Sequence, residues 1–188
     1  PTYRDTAVAR ELVYRFSDAE VQRLRQLLRQ HNAVLGVRGH YLANAPGAFD
    51  PARQVDGRHI VSLDHDAFEE IAPLLRQSSV VVTDYSSVYI DALYLERPVL
   101  AFAYDLEHYR SQQNGLLYDM ELAFPGPVAT DFEGFLTSLD QALQSDPATR
   151  DPRYPMARRM FFRYDDARNA QRLVQRLHAA IAARGART

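Results

Sequence analysis

The sequence predicts one α/β domain built on a mostly parallel sheet with helices on both faces. Three observations carry this expectation. Strand-like apolar runs alternate with runs of helical period along nearly the whole chain. The run SVVVTDY at 79–85 is apolar on both faces, as strands of a covered parallel sheet are. The 188 residues, 46% hydrophobic and 24% charged, suffice for a proper core.

The elements read in order. Residues 18–31 have Val21, Leu24, Leu27 and Leu28 at helical spacing, with Ser17 or Asp18 as N-cap and Glu20 in the first turn. AVLGVRGHYL at 33–42 is a short strand that ends in Arg38-Gly39-His40. Residues 44–57, rich in Pro, Gly, Asp and Ala, read as a loop. HIVSL at 59–63 is a second strand, and 66–78 a helix weakened at Pro73. The strand 79–85 leads into a helix at 86–96, and 97–105 is the next strand. Residues 106–113 read as helical, stopped by Gly115. Pro125-Gly126-Pro127 makes a rigid turn. Residues 131–146 form an amphipathic helix, 146–155 a loop, and a last helix starts near Asp166. The pair Arg158-Arg159 with Met160, Phe161 and Phe162 reads as a buried helix start or packing segment, with contact to a membrane as the lesser alternative.

Bulk composition excludes several classes. A net charge of -2 gives no basic field for nucleic acid. All 22 basic residues are arginine, a bias that genome composition explains more readily than the planar-donor chemistry of arginine does. Zero cysteines exclude disulfides, cysteine-ligated zinc, iron–sulfur sites and thiol nucleophiles. No run approaches the roughly 18 apolar residues of a membrane span, and no stretch reads as a signal peptide. The chain opens on PTYRD, without Met, which we read as a cut inside a longer protein.

Right-handed crossovers place the strand ends that lead into helices on one edge of a parallel sheet, where such folds bind ligands. Arg38-Gly39-His40, Asp64-His65, Thr83 to Ser87 and Tyr104-Asp105 all fall there. Ser86 and Ser87 sit where a helix begins, where unpaired N–H groups and hydroxyls suit an anion such as a pyrophosphate. Ordinary helix capping by Ser86 accounts for one serine equally well, but not for two. Arg38 has the fork of donors that grips phosphate, Gly39 lets backbone approach a ligand, and His40 can donate to phosphate or move a proton. A surface histidine after a strand is the plain alternative, and His65 has a weaker case.

Other chemistries fit poorly. No histidine pair or carboxylate cluster has metal-ligand spacing; Asp64-His65-Asp66 is the nearest and reads as a solvated turn. DYSSV is not the GxSxG elbow of a hydrolase. Neither GxGxxG nor a P-loop sequence is present.

PTYRD, VRGHYL, VVVTDYSSVYIDALYLERPVLAFAYDLEHYR, GLLYD and FPGPV occur in an order that resembles the CDP-glycerol glycerophosphotransferases. These are the teichoic-acid primases and polymerases, with related capsule polymerases. The resemblance runs from Pro1 to about Leu177. It implies a GT-B-like fold of two Rossmann-like halves, of which this chain is similar to the carboxyl-terminal, donor-nucleotide-binding one over residues 1–188. It implies transfer of glycerol phosphate, or a related polyol phosphate, from a CDP-activated donor to a hydroxyl of a lipid-linked polymer. No resident cofactor is implied and a divalent metal is optional. The place implied is the cytoplasmic face of the cell membrane.

Carried over by motif, Ser86 and Ser87 would hold the donor pyrophosphate, with Thr83 and Asp84 shaping the turn. His40, assisted by Arg38, would contact the phosphate being transferred. Pro125, Gly126 and Pro127 would line the nucleotide cleft, with Asp165 a further candidate. The Asp-Gly pair common near this point in the family is replaced here by Asp165-Asp166. The family's acceptor base belongs to the other half, so the isolated chain is expected to bind nucleotide weakly without catalysing transfer. Two rival readings remain at this stage: a nucleotide-sugar transferase of GT-B fold, and a non-catalytic assembly domain.

Overall fold

The Ser17 hydroxyl accepts the Glu20 N–H at 3.3 Å, while the Glu20 carboxylate takes the Ser17 N–H at 2.7 Å. This reciprocal cap opens α1, Asp18–Gln30, so Ser17 and not Asp18 is the N-cap. The computed structural model describes residues 14–39, 54–112, 118–145 and 151–185. Helix α1 buries Val21, Leu24, Leu27 and Leu28, the apolar stripe of the sequence. It closes at His31, and Asn32 follows at φ 48°, a left-handed position that asparagine tolerates.

Among the described residues, five strands pair in parallel as two sheets. β1 (Leu35–Val37) pairs with β2 (Ile60–Ser62), with Gly36 opposite Val61. β3 (Val81–Thr83), β4 (Val99–Phe102) and β5 (Val128–Ala129) form the second sheet in chain order. Thr83 stands opposite Ala101, and Ala101 opposite Val128. Between them run α2 (Ala72–Gln77), α3 (Val88–Tyr94), α4 (Leu106–Gln112), α5 (Met120–Ala123), α6 (Phe132–Gln144), α7 (Tyr154–Phe161) and α8 (Asn169–Gly185).

The period of two along β3 and β4 sorts their side chains into two cores. Val81, Val99 and Ala101 pack with Leu75, Tyr89, Leu93, Phe124, Tyr154 and Ala157 from the α2, α3 and α7 side. Val82, Leu100 and Phe102 pack with the α1 and α6 residues and with Ile60 of β2. A side chain as fully buried as Leu93 or Leu100 contributes about 2 kcal/mol. The doubly apolar strand is thus explained: helices cover both faces.

The structure corrects four boundaries. The helix expected at 66–78 is only Ala72–Gln77, and Pro73 lies in its first turn, where a missing N–H costs nothing. Residues 64–71 stay outside it because Arg38 takes carbonyls of that segment, described below. Pro155 likewise lies in the first turn of α7, a helix that the loop expectation for 146–155 overlapped by two residues. Its Tyr154 hydroxyl donates to the Arg97 carbonyl at 2.7 Å, and Arg158 donates to the Leu93 carbonyl at 2.8 Å. Arg158 therefore serves the carboxyl end of α3, where a cation is favoured. The last helix starts at Asn169; Asp166 precedes it, accepting the Arg168 N–H at 3.2 Å and pairing with Arg172 at 2.5 Å. The two-residue strand β5, directly after the 125–127 turn, was not expected.

Candidate functional site

The turn from Thr83 to Ser87 leaves the carboxyl end of β3 and enters α3. Thr83 is the last paired strand residue and is half-buried. Asp84, Ser86 and Ser87 are exposed. The Asp84 carboxylate accepts the Ser86 N–H at 2.8 Å, an Asx-type bond that bends the chain. Asp84 is thus spent on the turn itself. The Ser86 hydroxyl faces the Val88 N–H at 3.5 Å, the outer limit of a hydrogen bond. Ser87 stands at the N-cap and its side chain makes no capping bond. Two exposed hydroxyls therefore sit side by side with little internal use. Helix α3 has only 7 residues, so its dipole is short and the hydroxyls matter more here.

Tyr85, the remaining residue of the turn, points the other way. It packs against the core on the α3 side, donates its hydroxyl to Asp105, and stacks on Tyr109 with ring centroids 4.1 Å apart. Burial first, then the Asp105 carboxylate, pushes the Tyr85 hydroxyl well above the ordinary tyrosine range. The sequence reading placed Asp105 at a strand end but did not join it to Tyr85. The signal available was the spacing of Asp105 and Tyr109, which puts both on one turn of a helix start.

Arg38 leaves the carboxyl end of β1. Its Nη1 donates to the carbonyls of Leu63 at 2.9 Å and Phe68 at 2.6 Å, and more loosely to Asp64 at 3.4 Å. Its Nη2 donates to the Glu69 carbonyl at 3.2 Å and to His65 Nδ1 at 2.8 Å. A guanidinium only donates, so His65 Nδ1 accepts and its Nε2 carries the proton toward the Gly39 carbonyl at 3.3 Å. Both terminal nitrogens of Arg38 are thereby engaged with the 63–69 segment. His40 lies outside the described residues.

The structure places the remaining candidates apart from this turn. Pro125 and Gly126 are buried, and Pro127 is exposed. A Cβ at Gly126 would lie 1.8 Å from the Val99 carbonyl oxygen, so only glycine lets this turn lie against β4. Pro127 passes its carbonyl to the Ala101 N–H at 2.9 Å. Asp165 is exposed in the link between α7 and α8. Among the described residues no group of three or more His, Asp or Glu could hold a metal ion. None of the described helices is long and apolar enough to cross a membrane.

Known proteins resemble this chain in sequence and fold. The family model of the CDP-Glycerol:Poly(glycerophosphate) glycerophosphotransferases matches residues 1–179. The teichoic acid glycerol-phosphate transferase of Staphylococcus aureus is 32% identical over 180 residues, 93% of this chain and 43% of that protein. The teichoic acid poly(glycerol phosphate) polymerase of Bacillus subtilis is 33% identical over 147 residues, 78% of this chain and 19% of that protein. The solved structure of the wall teichoic acid polymerase TagF superimposes with a TM-score of 0.66 at 26% identity, over 98% of this chain and 42% of that one. The α/β fold is thus the GT-B-like one expected, and the chain spans less than half the length of these relatives. With the family match covering nearly every residue, this chain belongs to the CDP-glycerol:poly(glycerophosphate) glycerophosphotransferase family.

Proposed function

We propose that this chain is the donor-nucleotide-binding half of a two-domain glycerophosphotransferase. The full enzyme would move glycerol phosphate, or a related polyol phosphate, from a CDP-linked donor to a hydroxyl on a lipid-linked cell-wall or capsule polymer. It would work peripherally at the inner face of the membrane. The observation that carries the reading is the pair of exposed hydroxyls of Ser86 and Ser87, side by side at the end of β3, in a chain of this family.

In this reading Ser86 and Ser87 donate to the donor pyrophosphate, and the Asp84 carboxylate holds the turn that presents them. His40 meets the phosphate being transferred. Arg38 contributes chiefly by fixing the segment that follows β2, since its terminal nitrogens already have acceptors. Pro125 and Gly126 are buried beside the start of β4 and brace β5, whereas Pro127 and Asp165 are the exposed members of that group. The chemistry asked of the site is positioning and charge stabilisation as the donor's α–β phosphoanhydride breaks and CMP leaves.

Thermal-shift titration of the chain tests this. CDP-glycerol and CDP-ribitol should raise the melting temperature, UDP-sugars and CMP-sialic acid should not, and a Ser86→Ala/Ser87→Ala double variant should lose the shift. Stabilisation by UDP-sugars alone would hand the site to a sugar transferase. Stabilisation by none of the four would leave a non-catalytic domain.

A further inference from the structure

The 84–87 turn is tied down by local bonds: Asp84 accepts the Ser86 N–H, the Ser86 hydroxyl accepts the Val88 N–H, and the Ser86 and Ser87 carbonyls accept the Tyr89 and Ile90 N–H groups of α3. Such local bonds set the shape of a turn but not its place on the protein. Among the described residues, the long-range hydrogen bond that leaves this turn is the one from Tyr85 to Asp105. Asp105 lies just past β4, the strand next to β3, and Tyr109 lies in α4. Tyr85 is thus gripped by two residues from a neighbouring strand-to-helix connection, through its hydroxyl and through its ring.

The grip has an electrostatic side. Asp105 is a half-buried carboxylate beside a turn that offers donors to an anion. Left unpaired, it would repel a pyrophosphate at short range. A phenol donating to it makes a charge-assisted hydrogen bond and takes up the negative charge locally. Tyr104 and Asp84 are the other titratable groups that face Tyr85.

We propose that Tyr85 is a positioning residue for the donor site: its bond to Asp105 and its stacking on Tyr109 hold Ser86 and Ser87 at a fixed place on the sheet edge before donor arrives. This rests on the reading that the turn receives the donor pyrophosphate. Tyr85 touches no reacting atom. It acts through the two serines, and so on donor binding in ground and transition states alike.

The test uses the two-domain enzyme with CDP-glycerol as the varied substrate. Tyr85→Phe keeps the ring on Tyr109 and deletes the hydroxyl; it should raise donor KM about tenfold with kcat within about twofold of wild type. Asp105→Asn keeps an acceptor without the charge and should stay within about threefold in KM, whereas Asp105→Ala should raise KM about fivefold, less than Tyr85→Phe because it also removes the carboxylate that Tyr85→Phe leaves unpaired. The double variant Tyr85→Phe/Asp105→Ala should be no worse than either single one, because each removes the same bond. A donor KM for Tyr85→Phe equal to wild type, or additive effects in the double variant, overturns the proposal. Should Tyr85→Phe fold poorly, the comparison of Asp105→Asn with Asp105→Ala decides on the same readout. If the wild-type enzyme transfers nothing from CDP-glycerol, the functional reading itself falls and takes this one with it. Wild-type transfer with an indifferent Tyr85→Phe removes this proposal alone.

Discussion

Arg38 donates through Nη1 to the Phe68 carbonyl oxygen at 2.6 Å. The contact joins the end of β1 to a segment thirty residues on, with the Leu63 and Glu69 carbonyls held by the same guanidinium. Arg38→Met should lower stability by about 1 kcal/mol, because the half-buried Leu63 carbonyl and the exposed Phe68 and Glu69 carbonyls lose a charged donor at once. Arg38→Lys should recover less than half of that, since one ammonium cannot reproduce the fork. Denaturant melts of the three proteins measure this, with hydrogen exchange at 63–70 as the local readout. Equal stability of Arg38→Lys and wild type would return Arg38 to the role of a free phosphate ligand.

Gly126→Ala should be severe. The added methyl carbon would meet the Val99 carbonyl oxygen at 1.8 Å, and backbone cannot yield as a side chain can. A loss of about 3 kcal/mol or more is expected, with β5 detaching from β4. A melting temperature within about 2 °C of wild type would contradict the close approach.

The Asp56 carboxylate predicts an acid limit. It accepts N–H groups of Ile60, His59 and Arg58 at 3.0, 2.7 and 2.9 Å and pairs with Arg25 at 2.9 Å. The Ile60 N–H, then those of His59 and Arg58 and the Arg25 charge, hold its pKa well below the ordinary 3.8. A carboxylate depressed in the folded state adds stability above its unfolded pKa and loses it as pH falls below that value. The melting temperature of wild type should therefore drop more steeply below pH 3.8 than that of Asp56→Asn, which is less stable at neutral pH but flatter in acid. Parallel curves for the two proteins would show that the turn does not depend on the charge.

Tyr154→Phe isolates one hydrogen bond. The ring is 3% exposed and stays packed, while the bond to the Arg97 carbonyl at 2.7 Å is lost. About 1 kcal/mol of stability should go with it, read from a urea midpoint shift at constant m-value. No shift would mean that water replaces the hydroxyl.

His40→Ala in the two-domain enzyme should lower kcat by about a hundredfold or more if His40 meets the transferred phosphate. The Ser86→Ala/Ser87→Ala enzyme should lose a comparable factor in kcat/KM. Turnover near wild type in either variant, measured as donor-dependent polymer extension, would remove that residue from the mechanism.

The position of the 83–87 turn at a strand end was legible in the sequence because it depends on periodicity. Val21, Leu24, Leu27 and Leu28 fix the face of α1, and the unbroken apolar run 80–82 marks a strand covered on both sides. From these, Thr83 to Ser87 falls at a strand end without further information. Arg38 was read as a phosphate fork, yet its acceptors are the carbonyls of residues 63, 64, 68 and 69, and a backbone carbonyl leaves no mark in sequence. The same carbonyls explain the short α2. Pro125-Gly126-Pro127 was recognisable as a turn, but turn chemistry does not tell which way the turn faces; Gly126 lies against Val99. Pro155 hid the start of α7 in the same way, although Tyr154, Ala157 and Phe161 already had helical spacing.

β4 is bonded on both edges and buried on both faces: Val99 and Ala101 belong to one core, Leu100 and Phe102 to the other. Neither core can melt without stripping this strand, so the two cannot unfold one after the other. The chain is expected to lose structure in one cooperative event, and the amides of Leu100 and Ala101 to exchange with solvent only when the whole molecule opens. Asp105 follows one end of that strand and Gly126 lies against the other, so the 83–87 turn and the β5 turn both draw their rigidity from a strand that opens only with the two cores together.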